Sequence, residues 1–356
     1  MIFEGKRILV TGGTGSMGKT FVRRVLSGSV GVPRKLIVFS RDESKQHDMR
    51  VSYSAGPKAS TDEITYRNFQ NVLEFRIGDI RSYADVSGAL RDADIVVHAA
   101  ALKQVPACEY FPDQAILTNC IGAMNIVRAI REHAFPVESV VAISTDKACK
   151  PVNVMGMTKA LQERIVLSAN ILNPKTRFLC VRYGNVLASR GSVIPLFHEQ
   201  IRAGGPVTIT DERMTRFLLS LDDAVDTVLE ALQSAKPGET YIPVAPGARV
   251  VDLARALIGE RRIDLKVTGV RPGEKFDEIL VSEEEINHTI RRGSYYVIRP
   301  LLPELQNVED RLPRALSKEF SSGDSVLDFN GTVALLRRHR LMLEDADGQR
   351  TAELLR

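Results

Sequence analysis

The sequence has 356 residues, 44% of them hydrophobic and 26% charged, with a formal net charge of +4. That length exceeds one ordinary domain, the apolar share supports a sizeable core, and a charge this small without a dense Lys/Arg stripe excludes nucleic acid as an expected partner. Four scattered cysteines make neither a disulfide frame nor a metal site, and no apolar run nears the roughly 20 residues that span a bilayer, so no membrane contact and a cytoplasmic location are expected.

The N-terminus runs straight into a strand, with no signal-peptide pattern. Strand patterns fall at residues 7–11, 35–39, 73–77, 94–98, 139–145 and 177–183. They alternate with helical patterns at 17–26, 83–90, 113–131 and 154–171. Runs such as IVVHAA and SVVAIS are nearly all apolar, as strands covered on both faces require. The alternation implies an α/β fold on a doubly wound parallel sheet of the Rossmann kind. After about residue 185 the stretches SRGSVIP, RAGGPVTITD, VAPGAR and GVRPGEK announce a smaller, loop-rich α+β lobe. A helix at 221–232 and a strand at 239–243 are expected to return to the first unit. The expected division is residues 1–190 plus about 217–246 for a dinucleotide-binding domain and about 191–216 plus 247–330 for a ligand lobe. Residues 331–356 form a charged tail, read as a surface helix or frayed terminus.

The strand RILVT runs directly into GGTGSMG and a helix, which spaces Gly12, Gly15 and Gly18 as GxxGxxG, with Thr14, Ser16 and Met17 between and beside them. Such spacing alone often marks only a turn. After a first strand and before a helix, it permits close backbone approach to a pyrophosphate at a helix N-terminus. The second strand ends in Phe39-Ser40-Arg41, with Lys45 a turn later. A hydroxyl and two cations suit a 2′-phosphate, which favours NADP; Asp42 would suit the ribose of NAD, the second choice. Asp79 and Ile80 follow the third strand, where Asp79 meets the adenine amino group or simply ends a turn. Ala99 and Ala100 close the fourth strand at the same sheet edge.

The fifth strand ends in Ser144-Thr145-Asp146-Lys147, and Met155 and Lys159 share a face of the following helix at i and i+4. Here the chain resembles the extended short-chain dehydrogenase/reductase family, whose usual motif is YxxxK, and more closely its UDP-N-acetylglucosamine 4,6-dehydratases. STDKACKPVNVMGMTKA, VRYGNVLASRGSVIP, TITDERMTRF and RPGEK carry that resemblance, which extends over roughly residues 5–280. The tyrosine position is Met155, whose thioether cannot carry a proton; the short, 5-epimerising branch of the family shares that substitution.

The resemblance implies NADP-dependent dehydration of a UDP-sugar for surface polysaccharide, in a homo-oligomer for which a hexamer is one form. Asp146 is then the acid for the departing 6-hydroxyl and Lys147 the base at C5, which requires a lysine pKa depressed by burial or a nearby cation. Thr145 would contact the 4-hydroxyl, Lys159 the nicotinamide ribose and Lys103 the substrate. Asn185, Arg190, Arg216, Arg271 and Glu274 would surround the UDP. Asn119 is equally a structural helix asparagine, and on position alone the lesser alternative for Asp146–Lys147 is a surface salt bridge capping the strand. Two further functions stay open: a nucleotide-sugar 4-epimerase, which normally wants tyrosine at position 155, and a catalytically silent NADP-binding scaffold.

Overall fold

The computed structural model describes residues 1–54, 60–187, 192–306 and 313–347. Its spine is a nine-stranded sheet. The strands are β1 (Arg7–Thr11), β2 (Lys35–Ser40), β3 (Leu73–Ile77), β4 (Ile95–His98), β5 (Ser139–Thr145), β6 (Arg177–Tyr183), β7 (Thr240–Pro243), β8 (Thr289–Arg292) and β9 (Tyr295–Ile298). In space they run β8-β9-β7-β6-β5-β4-β1-β2-β3. From β3 to β7 every neighbouring pair is parallel, and β9 and β8 close one edge antiparallel. β7 lies parallel against β6 in the same sheet.

Successive residues of the central strands feed the two layers of the first core, one on each face of the sheet. Ile8, Val10, Leu36 and Val38 point into one, and Leu9, Ile37 and Phe39 into the other. Helices cover both faces, so these strands read as unbroken apolar runs and not as alternation. Chain order reverses between β1 and β4. The carboxyl ends of strands at such a switch point leave a crevice for a ligand.

Between β2 and β3 lie two helices, Glu43–Ser54 and Ser60–Val72, that the polar sequence conceals. The helix expected at 113–131 is instead a four-residue turn, Pro112–Ala115, a π-helical segment, Ile116–Ile121, and a regular helix, Gly122–His133. Past β6 the chain builds a second core from the helices Val193–Arg202 and Val250–Ile258 and short strand pairs. The tail contributes as well: the helix Phe329–Arg338 sets a fully buried Leu336 into that core. Arg182 of β6 ties the helix Val154–Leu172 to the later segment that packs back on the sheet, bonding Glu163, Glu285 and the carbonyl of Leu280.

Candidate active site

A continuous cavity of about 2370 Å³ runs from the glycine turn, past the ends of β4 and β5, into the second core. At its first end Gly12 has φ +67°, and a Cβ there would lie 2.7 Å from the Ala100 backbone nitrogen. Gly18 could not carry one either, being 2.6 Å from the Gly13 Cα. Gly15 sits at the N-cap of the helix Ser16–Leu26, whose free N–H groups face the turn. A backbone so pared of side chains accepts a pyrophosphate, and a dinucleotide fits this crevice.

The residues expected to grip its adenosine end lie on the same wall: Thr14, Ser16, Met17, Ser40, Arg41, Lys45, Asp79, Ile80, Ala99 and Ala100. Thr14 Oγ1 and Ser40 Oγ are 3.0 Å apart. Asp42 is engaged by the Lys45 ammonium and the Lys45 N–H. Burial works against the charge on Asp79, but hydrogen bonds from Arg81 overcome it and hold this carboxyl below its ordinary range. Arg41 stands 3.9 Å from Asp79 and is half exposed towards the cavity.

β5 places the next group at the middle of the cavity. Its last residue, Thr145, caps a short turn holding Asp146 and Lys147. Lys147 faces the cavity, whereas Asp146 is fully buried beneath it. Asp146 Oδ1 accepts from Lys147 Nζ at 2.9 Å and from Thr145 Oγ1 at 2.9 Å; its Oδ2 has no partner. A second carboxylate, Glu278, lies 3.2 Å from Lys147 Nζ on the other side and is 3% exposed. Asn185 Oδ1 accepts from the same nitrogen at 3.4 Å. Arg216 approaches Glu278 to 3.9 Å.

The depressed amine required of a base at position 147 is not what this arrangement produces. Burial opposes the ammonium charge, yet Asp146 and Glu278 outweigh it, even against Arg216, and raise the pKa of Lys147 above the ordinary lysine value. The depressed lysine is Lys159, taken down to about 8 by burial. Its Nζ donates to the Ile143 carbonyl at 2.5 Å and to Gln162 Oε1 at 2.7 Å. Met155, one turn earlier, is buried against Cys108 and Ala115 and presents a proton-inert edge to the cavity.

Asn119 does not reach this cavity. It clasps both the N–H and the carbonyl of Leu102 and the Thr158 hydroxyl, a structural role that steadies the loop bearing Lys103. Lys103, Arg216, Arg271 and Glu274 line the far half, with Asn185 at the middle; Arg190 lies outside the described residues. Two features escaped the sequence reading. Glu278 follows RPGEK and heads the apolar strand Ile279–Val281, where a charge before buried neighbours was the available signal. His339, Arg340 and Leu341 form part of the far wall, and nothing in the charged tail distinguished them.

A family described as "Polysaccharide biosynthesis protein" matches residues 8–300. The chain is 40% identical over 321 residues, 89% of its length and 90% of the other, to a UDP-N-acetylglucosamine 4,6-dehydratase (inverting) of Campylobacter jejuni. It is 43% identical over 302 residues, 83% of its length and 84% of the other, to a UDP-glucose 4-epimerase of Rickettsia bellii. Among solved structures it resembles Pen from Bacillus thuringiensis, with TM-score 0.85 and 33% identity over 96% of this chain and 100% of that one. The chain belongs to the polysaccharide biosynthesis family, within the extended short-chain dehydrogenase/reductases.

Proposed function

We propose that the protein is an NADP-dependent UDP-N-acetylglucosamine 4,6-dehydratase that inverts C5 and acts in bacterial surface-glycan synthesis. The observation that carries this reading is Lys147, set between two buried carboxylates on the wall of a dinucleotide crevice. When bound, the nicotinamide would take a hydride from sugar C4 and give it back at C6. The chain's own part is to move protons. Thr145 is assigned to the 4-hydroxyl, Lys147 with Asp146 behind it to the C5 proton and the departing 6-hydroxyl, and Lys159 to the ribose. NADP over NAD rests on Arg41 and Ser40 at the end of β2, where Lys45 already occupies the carboxylate of Asp42. Arg216, Arg271, Lys103 and Asn185 suit a diphosphate and its sugar. Inversion is favoured by the likeness to the Campylobacter relative, an inverting dehydratase. No described helix is long and apolar enough to cross a membrane; with four buried free thiols, the reducing cytoplasm is the proposed location. A homo-oligomer is proposed too, its partner covering the exposed apolar side chains Ile116, Met124, Met157 and Leu161.

The Rickettsia relatives favour 4-epimerisation as the second reading. Against it stands Met155 at the position where an epimerase normally wants tyrosine. Chromatography coupled to mass spectrometry of UDP-N-acetylglucosamine incubated with the enzyme decides: a product lighter by one water is expected, whereas a separated peak of unchanged mass means epimerase and an unchanged substrate peak means a scaffold. Lys147→Ala and the charge-keeping Lys147→Arg are both expected to lose dehydration by at least about 10²-fold while retaining NADP. Full turnover by either would remove Lys147 from the mechanism.

A further inference from the structure

Met155 leaves the reaction without the usual acceptor for the proton that the sugar 4-hydroxyl must lose. The cluster beside it has room for that proton. Asp146 and Glu278 set two buried carboxylates against the one ammonium of Lys147. The Arg216 guanidinium, 3.9 Å from Glu278, balances the group, and its assignment to the UDP diphosphate leaves the other three with one net negative charge. Each carboxylate keeps one oxygen, Asp146 Oδ2 and Glu278 Oε2, with no hydrogen-bond partner. An uncompensated buried charge is costly, so a site of this kind gains by taking up one proton. Of the two carboxylates, Glu278 is the one on the cavity wall. It is also held firmly. Its N–H donates to Ser322 Oγ at 3.0 Å, its carbonyl accepts from the Ser322 N–H at 2.8 Å, and Arg182 grips the Leu280 carbonyl two residues on.

We infer that Glu278 is a catalytic residue that stores the 4-hydroxyl proton in place of the missing tyrosine, and that with Asp146 and Lys147 it forms a one-proton reservoir. The inference rests on the function proposed above, and its proton balance closes. As C4 is oxidised, the 4-O–H bond breaks, its electron pair becomes the carbonyl π bond, and an O–H bond forms on Glu278. The cluster is now neutral. In the elimination, an N–H bond of Lys147 breaks and its proton passes to Asp146, 2.9 Å away, so that the freed amine takes the C5 proton while the C5–H electron pair goes to the ketone as an enolate. The enolate collapses, C6–O breaks, and the cluster returns one proton to complete water, so its charge does not change. When C6 is reduced, C5 takes the stored proton and the cluster recovers its negative charge.

Glu278→Gln keeps the shape but leaves Asp146 and Lys147 neutral as a pair, with no capacity for a proton. With enzyme loaded with NADP and mixed with UDP-N-acetylglucosamine, the reduced-nicotinamide absorbance reports the first step alone. At neutral pH the variant is expected to form it about 10²-fold more slowly than wild type, with KM little changed. Its rate should then climb roughly tenfold per pH unit where wild type is flat, because Lys147 losing its proton restores the missing capacity. Glu278→Asp should recover most of the rate. A variant that matches wild type, or one slowed equally at every pH, overturns the inference.

A second measurement does not depend on turnover. In ¹⁵N-lysine-labelled enzyme, Lys147 faces Asp146, Glu278 and Arg216, and its titration should fall by at least one pH unit in Glu278→Gln; an unmoved titration also overturns the inference. If wild-type enzyme reduces the nicotinamide but yields an isomer, the dehydratase reading fails and the reservoir stands. If wild type does neither, the proposed function falls and the titration alone judges the cluster.

Discussion

Lys159 is a cation held almost wholly out of water, 6% exposed on the cavity wall, and that has a measurable consequence. Its pKa is about 8 in the folded protein against 10.5 for an ordinary lysine. Below pH 8 the folded and unfolded chains both hold the proton. Between pH 8 and 10.5 the folded chain has released it and the unfolded chain has not, so stability rises with pH across that window. The full effect is on the order of 3 kcal/mol. Denaturant unfolding of wild type and Lys159→Met at a series of pH values should show wild type gaining on the variant by up to that amount between pH 8 and 10.5, and parallel curves would show that Lys159 is solvated. Residues adjacent in sequence were the ones legible without a structure. The glycine turn and the Thr145-Asp146-Lys147 triplet are local patterns with a local meaning. Glu278 acquires its meaning only because a distant strand carries it to Lys147, and the raised lysine pKa that follows was illegible for the same reason.

Among the elements, the π-helical segment Ile116–Ile121 shows how one side chain can override a helical pattern. A regular helix would carry Asn119 round its axis; the wider turn aims it at the backbone of Leu102. Asn119→Ala should therefore cost about 1–3 kcal/mol by urea unfolding, as two backbone groups lose their partner, and should weaken UDP-sugar binding because the Lys103 loop loses its clasp. Unchanged stability would make the π turn incidental. Apolar periodicity revealed the strands β1 to β6 almost to the residue, since burial on both faces leaves a continuous signal. It missed Glu43–Ser54, where only Gln46 and Met49 are buried and no apolar stripe exists to be read. It also could not anticipate a helix that changes its pitch to satisfy a loop.

At the scale of the whole molecule, the two cores share one cavity, and the far wall depends on the helix Phe329–Arg338. Leu336→Ala, at a fully buried position in the same cluster as Leu253 and Leu257, is expected to cost about 2–5 kcal/mol. Because Arg340 and Leu341 follow directly, the variant should bind UDP-sugar more weakly while NADP affinity stays within twofold; equal losses for both ligands would mean that the cores unfold together. The placement of those wall residues also sets an order of events during synthesis. The glycine turn leaves the ribosome early and His339 to Leu341 among the last of the described residues, and domains fold as they emerge. The sheet is complete at Ile298 and the far wall only at Leu341, so a nascent chain would be able to cradle its dinucleotide before it has the whole wall that holds a sugar nucleotide, and a message cut short between the two would yield a protein that grips its cofactor better than its sugar nucleotide.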